Sequence, residues 1–259
     1  MQSPYICLIH GWAANGLIFK PLLHHFPANW RTVAPHLPGH GGTAPMHPHF
    51  SVSAAADQIA RSLPDEGAYL FGWSLGGLVS LYLAARHPHK VKGLILCNTF
   101  ARFDADTDYP EGVRQSVLDK MLALFQHDYP KHMRQFLQLQ LLHSPDSEAV
   151  LNAVLPDMLR HGTPQALDDA LHAVRQADAR PLLAHIRAPA LLLWGGRDTV
   201  TPPRMGDYLL RHLPDARLHT LARAAHAPFL SHPAETAQTV CGFIKTSFQP
   251  QTTPLPAGK

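Results

Sequence analysis

The chain has 259 residues, 46% of them hydrophobic and 16% charged, a composition that is typical of a globular protein and excludes a disordered chain. The formal net charge is only +3 and no Lys/Arg-rich run is present, which argues against nucleic acid as the main partner. No run of 18 apolar residues, no signal peptide and three widely spaced cysteines without a CxxC pair together predict a cytoplasmic protein with reduced thiols and no membrane association.

Six short apolar segments, most of them closed by glycine, proline or small polar residues, predict β-strands. Most are continuous apolar runs, as is typical of strands that are buried on both faces of a parallel sheet. In chain order they are Tyr5–Ile9, Thr32–Leu37, Ala68–Phe71, Gly93–Cys97, Pro189–Trp194 and Ala216–Leu221.

Helical segments lie between these strands. Strands that alternate with helices indicate βαβ units, and therefore a mostly parallel sheet with helices on both faces. The predicted helices of this part of the chain are Ser51–Leu63, Leu75–Arg86, Pro203–His212 and Pro233–Ile244.

Residues 101–185 interrupt the alternation, because they show helical apolar spacing with no strand candidate. The helices predicted there are Val113–His127, Pro130–Leu142, Ser147–Arg160 and Pro164–Ala177. We therefore expect a core formed by residues 1–100 and 186–249, with residues 101–185 inserted as a helical cap or lid. The proline-rich residues 250–259 are expected to be a disordered tail.

A G-x-S-x-G sequence, Gly72-Trp73-Ser74-Leu75-Gly76, lies between the third strand and the helix that follows it. This context is typical of a sharp strand-to-helix turn that exposes a nucleophilic serine above the carboxyl end of a sheet. Ser74 is therefore the candidate nucleophile. The alternative is that Ser74 only caps the helix.

A serine nucleophile needs a base and a group that orients the base. Asp198 follows the fifth strand, and His226 lies between small residues in the loop after the sixth strand, so both are expected at the same edge of the sheet as Ser74. Asp198 could instead be an ordinary turn residue, and His226 an ordinary loop histidine. The order Ser, Asp, His along the chain is that of α/β-hydrolases.

An oxyanion hole requires two N–H groups that point at the developing negative charge. We expect one from Leu75, the residue after the nucleophile, and the other from Trp12 in the loop after the first strand. The Trp12 ring either faces the substrate pocket or packs in the core.

The chain contains 19 histidines, some of them in closely spaced pairs that could suggest a metal site. None of the pairs has the spacing or the neighbouring ligands of a closed site, so we expect no metal and read them as surface or turn histidines. The pairs are His24-His25, His47-x-His49 and His87-x-His89.

Several motifs together resemble the α/β-hydrolase family over nearly the whole chain: His10-Gly11-Trp12, Pro38-Gly39-His40-Gly41, Gly72 to Gly77, Gly196-Arg197-Asp198 and Ala225 to Phe229. Three segments are similar to a narrower family, the pimeloyl-[acyl-carrier protein] methyl ester esterases of biotin synthesis: Gly72 to Gly77, Phe136 to Gln140 and Ala224 to Glu235. The fold usually begins with a strand or hairpin before the His-Gly strand. Only four residues precede Tyr5 here, so we expect that edge to be missing or very short.

The resemblance implies a serine carboxylesterase that removes the methyl group of a carrier-bound dicarboxylate ester, and also hydrolyses short esters, through an acyl-enzyme. It implies an acyl-carrier protein as partner, and we expect a monomer with no cofactor. The resemblance places the substrate site on Trp12, Ser74, Leu75, Phe136, Leu137, Gln138, Leu139, Gln140 and His226.

Two other hypotheses stay open. The chain could be a related α/β-hydrolase that acts on another small ester, a lactone or a C–C bond, or a hydrolase-fold protein that binds a ligand without catalysis. The complete set of Ser74, Asp198 and His226 argues against the silent binder. A serine at the elbow disfavours haloalkane dehalogenases, whose nucleophile is an aspartate.

One predicted helix of the cap carries the segment Phe136 to Gln140. Phe136, Leu137 and Leu139 could offer an apolar face to Ser74, and Gln138 and Gln140 could donate or accept hydrogen bonds. Three nearby basic residues form either a solvated helix face or a landing site for an acidic carrier protein: Lys131, His132 and Arg134.

Overall fold

The computed structural model describes residues 3–142, 144, 146–161 and 164–247, so the predicted tail over 250–259 lies outside the described residues. Six strands form one parallel sheet: β1 (Tyr5–Ile9), β2 (Arg31–Val33), β3 (Ala68–Trp73), β4 (Val91–Cys97), β5 (Ala190–Gly195) and β6 (Ala216–Leu221). Their order across the sheet is β2-β1-β3-β4-β5-β6. The predicted α/β architecture with a parallel sheet is therefore confirmed.

Ten α-helices surround this sheet in the described part of the chain. They are α1 (Lys20–Leu23), α2 (Val52–Ser62), α3 (Leu75–Arg86), α4 (Gln115–His127), α5 (Tyr129–Gln140), α6 (Ser147–His161), α7 (Pro164–Gln176), α8 (Pro203–His212), α9 (Pro228–Ser231) and α10 (Pro233–Ser247). Short 3-10 helices cover Gly16–Phe19, Pro88–Lys90 and Arg180–His185. None of the helices in the described ranges is both long and apolar enough to cross a membrane.

The parallel sheet brings five chain segments to one edge. Parallel strands end on the same side of a sheet, so the loops after β1, β3, β4, β5 and β6 lie near one another. The loop after β1 begins with His10, that after β3 with Ser74 and that after β4 with Asn98; the loops after β5 and β6 contain Asp198 and His226. The sequence motifs therefore meet at this edge because each directly follows a strand.

The second strand is shorter than predicted. The apolar run predicts a strand over Thr32–Leu37, whereas β2 ends at Val33. Pro35 has no N–H to donate to a neighbouring strand, which disfavours continuation of the ladder. After it, the His36 ring accepts a hydrogen bond from the Gly16 N–H (3.0 Å), and the Leu37 N–H donates to the His10 ring (2.9 Å). Hydrogen bonds to the His36 and His10 side chains thus take the place of strand-to-strand hydrogen bonds after Val33.

Between β4 and β5 the chain leaves the sheet and returns close to where it left. Arg102 and Asp178 form an isolated antiparallel bridge, and the Ala179 N–H donates to the Ala101 carbonyl oxygen (2.8 Å). The helices α4, α5, α6 and α7 lie between these two points. This excursion forms the layer above the carboxyl edge of the sheet, and we refer to it below as the cap.

Candidate active site

Ser74 lies in a strained turn between β3 and α3. Its backbone has φ 54° and ψ −118°, a region that a non-glycine residue occupies only when its surroundings hold it there. The Ser74 carbonyl oxygen accepts hydrogen bonds from the Thr99 hydroxyl (2.6 Å) and from the backbone N–H groups of Gly77 and Leu78 (2.9 and 3.2 Å). The Ser74 N–H donates to the Cys97 carbonyl oxygen (3.1 Å). The Ser74 side chain makes no capping hydrogen bond to α3, so the helix-cap alternative does not describe it.

Two glycines let other elements approach this turn. A Cβ on Gly76 would lie 1.9 Å from the Ile9 carbonyl oxygen, so only glycine allows α3 to pack this closely against β1. A Cβ on Gly11 would lie 3.2 Å from the Ser74 Cβ. The loop after β1 is therefore in direct contact with the serine turn.

Asp198 and His226 form a buried hydrogen-bonded pair. The His226 Nδ1–H donates to Asp198 Oδ2 (2.9 Å), and the residues are only 2% and 4% exposed for His226 and Asp198. A histidine that donates from Nδ1 to a carboxylate keeps Nε2 as a free acceptor. The pair thus provides a base whose tautomer is fixed by the aspartate.

The surroundings of Asp198 keep its carboxylate ionised. Burial alone raises the pKa of a carboxyl group, but His226, Thr201 and Asn98 outweigh it and hold the pKa of Asp198 below its ordinary value. The Val200 and Thr201 N–H groups donate to Oδ1 (2.8 and 3.0 Å), and the Thr201 hydroxyl donates to Oδ2 (2.6 Å). Asp198 therefore both orients His226 and stabilises its own turn.

Asn98 and Thr201 complete this arrangement, and the sequence analysis missed both. Asn98 is fully buried directly after β4, and its amide donates to Asp198 Oδ2. The signal was present: a polar residue that ends a buried strand faces the same edge as Ser74. Thr201 gave no comparable signal, because Thr is common in turns after Asp.

Trp73 holds His226 beside the serine turn. Its indole Nε1–H donates to the His226 carbonyl oxygen (2.9 Å), and its ring centroid lies 5.4 Å from that of His226. Because Trp73 directly precedes Ser74, this contact ties the histidine loop to the turn that carries the serine. The structure therefore joins His226 to Asp198 and holds the His226 loop against Trp73, the residue that precedes Ser74.

The two predicted oxyanion donors lie where their N–H groups are available. Leu75 is the first residue of α3, so its N–H has no acceptor within the helix. Among the hydrogen bonds of the described residues, the Trp12 N–H has no backbone acceptor. The His10 ring fixes the loop that carries Trp12: its Nδ1–H donates to the Gly11 carbonyl oxygen (2.8 Å), and its Nε2 accepts from Leu37.

The Trp12 ring connects the loop after β1 to the cap. Its Nε1–H donates to the Leu167 carbonyl oxygen in α7 (2.8 Å). Phe125 and Phe136 pack edge-on against the ring, with centroids 5.1 and 5.8 Å away. The ring is therefore largely buried against two residues of the cap, Phe125 and Phe136.

An open cavity of about 380 Å³ lies between the cap and the loop after β5. Its lining is mostly apolar, with a few polar groups, which suits a ligand that carries a hydrocarbon chain. Thr199 and Val200, next to Asp198, form one side of it. The cap contributes Phe103, Val113, Lys120, Leu124, Phe125, His132, Gln135, Phe136 and Leu139.

The five consecutive candidate residues of α5 point in different directions, because successive helical residues are rotated by about 100°. Phe136 and Leu139 line the cavity. Leu137 is fully buried in the hydrophobic core, and Gln138 is exposed. Gln140 is buried, and its carbonyl oxygen accepts from the Ala227 N–H (3.3 Å), next to His226.

The basic residues of α5 are not equally free. Lys131 is exposed, whereas Arg134 forms an ion pair with Glu148 of α6. The His132 ring is hydrogen-bonded to Gln135 (2.8 Å) and lines the cavity. In the part of the chain that the structure describes, no group of three or more His, Cys, Asp or Glu side chains is arranged to hold a metal ion.

Comparison with known proteins places the chain among the hydrolases. The family model described as alpha/beta hydrolase fold matches residues 4–233. A relative from Neisseria meningitidis serogroup B, named pimeloyl-[acyl-carrier protein] methyl ester esterase, is 53% identical over 93% of this chain and 92% of its own length. A relative of the same name from Chromobacterium violaceum is 36% identical and covers 95% of this chain and 96% of its own length.

Solved structures share the fold at lower sequence identity. An esterase from Exiguobacterium antarcticum superposes with a TM-score of 0.84 at 21% identity, over 95% of this chain and 93% of its own. An enol-lactonase from Burkholderia xenovorans superposes with a TM-score of 0.81, also at 21% identity, over 95% and 92%. At this level of identity the likeness concerns the fold alone.

Proposed function

This chain belongs to the α/β-hydrolase family, and we propose that it is a serine carboxylesterase that hydrolyses the methyl ester of pimeloyl-[acyl-carrier protein]. Two relatives with this name, at 53% and 36% identity over nearly the whole chain, support the substrate. A single geometric observation carries the chemistry: the buried hydrogen bond from His226 Nδ1 to Asp198, beside the strained turn of Ser74.

The first half of the reaction forms an acyl-enzyme on Ser74. Its Oγ attacks the ester carbonyl carbon while His226 Nε2 accepts the hydroxyl proton. Asp198 stays ionised and stabilises the imidazolium that forms. The negative charge that develops on the carbonyl oxygen is stabilised by the N–H groups of Leu75 and Trp12. Collapse of this intermediate expels methoxide, which takes the proton from His226 and leaves as methanol.

The second half releases the acid. Water loses a proton to His226 as it attacks the acyl carbon, and the same two N–H groups stabilise the second oxyanion. Collapse of the intermediate returns the proton to Ser74 and frees the carboxylate of the product. The product is the carrier-bound pimeloyl chain with a free carboxyl end.

The cavity supports a substrate with a methylene chain. A hydrocarbon chain that leaves water for an apolar cavity is stabilised by about 0.8 kcal/mol for each CH₂ group. Phe136 and Leu139 of the cap line this space, as do Thr199 and Val200 next to Asp198. We place the acyl chain here; Ser74 itself is not among the residues that line the cavity, which borders the catalytic residues through Thr199 and Val200 beside Asp198.

The carrier protein is the proposed macromolecular partner. An acidic carrier would be attracted to exposed basic residues around the cavity mouth, and such attraction is weakened by salt. Lys131 is exposed on α5, and Lys120 of α4 lines the cavity. Because Arg134 already pairs with Glu148, it contributes less attraction than Lys131 unless the carrier displaces Glu148.

The test compares the wild type with Ser74→Ala on the methyl ester of pimeloyl-carrier protein and on p-nitrophenyl butyrate. We expect the wild type to hydrolyse both esters, and Ser74→Ala to retain the thermal midpoint of unfolding but lose activity by roughly 10⁶-fold. Turnover of the p-nitrophenyl ester without turnover of the carrier ester would favour another small ester as substrate. No ester turnover at all would favour a silent binding protein.

A further inference from the structure

Asn98 connects three loops of the candidate site through one side chain. Its Nδ2 donates to Asp198 Oδ2 and to the Ala225 carbonyl oxygen (3.3 Å). Its Oδ1 accepts from the Gly195 N–H (3.0 Å). These contacts join the end of β4 to the aspartate loop and to the residue that precedes His226.

The partners fix which way the amide points. A carboxylate and a carbonyl oxygen can only accept, so the NH₂ group faces Asp198 and Ala225. A backbone N–H can only donate, so the amide oxygen faces Gly195. A flipped amide would place its oxygen against the oxygens of Asp198 and Ala225, and its NH₂ group against the Gly195 N–H. Such mismatched contacts in a buried site cost free energy of folding.

We propose that Asn98 is a positioning residue of the reaction, which holds Asp198 and the His226 loop in register so that the imidazole faces Ser74. The inference rests on the proposed function for its catalytic meaning. Asn98 touches Asp198 and not the reacting atoms, so it acts through the aspartate.

The backbone conformation of residue 98 could by itself favour an asparagine, so its effect has to be separated from that of the side-chain hydrogen bonds. The backbone of residue 98 has φ 45°, in the left-handed region that glycine and asparagine tolerate better than other residues. Asn98→Gly keeps this conformation accessible while it removes the hydrogen bonds to Asp198, Ala225 and Gly195 and the weak one from the Cys97 thiol. This variant therefore isolates the side chain from the backbone requirement.

We expect Asn98→Gly to lower kcat for p-nitrophenyl acetate by about 10- to 100-fold, the size of the loss when a hydrogen-bond partner that orients a metal ligand is removed. KM should change little, because Asn98 is fully buried. The matched control is Ser80→Ala, which removes the buried hydrogen bond from the Ser80 hydroxyl to the Gly76 carbonyl oxygen (2.7 Å). The control should lower the thermal midpoint without a comparable loss of kcat.

Asn98→Asp is the conservative variant. A protonated carboxyl group copies two contacts of the amide, since its OH donates to Asp198 and its C=O accepts from Gly195, but it lacks the second donor to the Ala225 carbonyl oxygen. Two adjacent carboxyl groups resist double ionisation, so the introduced group loses its proton only at raised pH. We expect substantial kcat at the lower end of the active range and a new decline at high pH that the wild type lacks.

Two other ionisable groups near Asp198 could affect the pH dependence of kcat. His226 faces it from the loop after β6, and the Cys97 thiol lies next to Asn98 at the end of β4. Burial, together with the charge of Asp198, raises the pKa of Cys97 well above its ordinary value, so this thiol stays neutral. A new alkaline decline in Asn98→Asp is therefore assigned to the introduced carboxyl.

A spectroscopic measurement makes the test independent of turnover. The measurement records the downfield NMR resonance of the proton that His226 Nδ1 donates to Asp198, in the wild type, Asn98→Gly and Ser80→Ala. We expect it to shift or broaden in Asn98→Gly alone. The inference is overturned if the resonance is unchanged and kcat is within twofold of wild type, or if Ser80→Ala has the same effects.

The outcomes separate this inference from the proposed function. If the wild type hydrolyses p-nitrophenyl acetate but not the carrier ester, the proposed substrate is wrong and the kinetics of Asn98→Gly still decide the role of Asn98. If the wild type hydrolyses no ester, the proposed function is wrong. The NMR comparison then decides whether Asn98 positions the Asp198–His226 pair.

Discussion

Replacement of Asp198 by asparagine tests whether this carboxylate fixes the tautomer of His226. The carboxylate accepts five hydrogen bonds, and its surroundings offer only donors. Oδ1 receives the N–H groups of Val200 and Thr201, and Oδ2 receives the Thr201 hydroxyl, His226 Nδ1 and the Asn98 amide. An asparagine has one acceptor oxygen and one NH₂ group, so it cannot satisfy both sides.

The structure indicates which way the new amide turns. The two backbone N–H groups on the Oδ1 side are fixed by the turn, so the amide oxygen faces them. The NH₂ group then faces His226, whose imidazole adapts by moving its proton from Nδ1 to Nε2. A protonated Nε2 cannot accept the proton of Ser74.

The expected cost follows from losing the base while the rest of the site stays in place. The same substitution in a serine protease triad lowers kcat about 10⁴-fold, by the same change of tautomer. This corresponds to roughly 5.5 kcal/mol on the activation barrier. KM for a short ester should change far less, because Asp198 is buried and does not line the cavity.

The assay is kcat and KM for p-nitrophenyl butyrate, with the His226 tautomer read by nitrogen NMR. Asp207→Asn, at an exposed aspartate of α8, is the matched control and should leave kcat and the tautomer unchanged. A kcat for Asp198→Asn within tenfold of wild type would refute the tautomer argument. So would a proton that remains on His226 Nδ1.

Three further changes test the surroundings of the site. Lys131→Ala together with Arg134→Ala should lower kcat/KM for the carrier-bound ester and weaken its salt dependence, but spare p-nitrophenyl acetate; an equal loss on both substrates would reject a carrier landing site. Leu139→Asp should raise KM for the carrier ester about 10-fold or more, because it places a charge in the apolar cavity. Leu142→Asp is the control, since Leu142 is similarly exposed (43% against 41% for Leu139) but does not line the cavity. Equal effects of the two substitutions would contradict our placement of the acyl chain. Burial lowers the pKa of His40 to about 4. Below pH 6.5 the unfolded chain therefore binds more protons at this residue than the folded chain does. The free energy of unfolding should fall by up to roughly 3 kcal/mol as the pH drops to 4. Denaturant titrations should give a smaller fall for His40→Asn, and identical pH dependence in the two proteins would show that His40 is not the cause.

The regular elements were largely predictable from the sequence. Tyr5–Ile9, Leu75–Arg86 and Pro203–His212 have the predicted bounds, because apolar runs and helical spacing directly record which residues must be buried. The helical content predicted for residues 101–185 matches the elements that the structure describes there. The strand predicted over Thr32–Leu37 exists but ends at Val33, since apolar composition alone does not register the missing N–H of Pro35.

The sequence by itself determined the candidate nucleophile, the aspartate and the histidine. Each of Ser74, Asp198 and His226 follows a predicted strand, and parallel strands bring such residues to one edge whatever the details of packing. This inference needs only chain order and strand direction. Both are recorded in the sequence.

Only the tertiary structure decided how these residues are supported. Asn98 reaches Asp198 across 100 positions of the chain, and the Trp12 indole reaches Leu167 across 155. Which side chains of α5 line the cavity also depends on how that helix is rotated against the core. Such contacts are set by the three-dimensional packing of distant segments, and no local pattern of residues records which of them will meet.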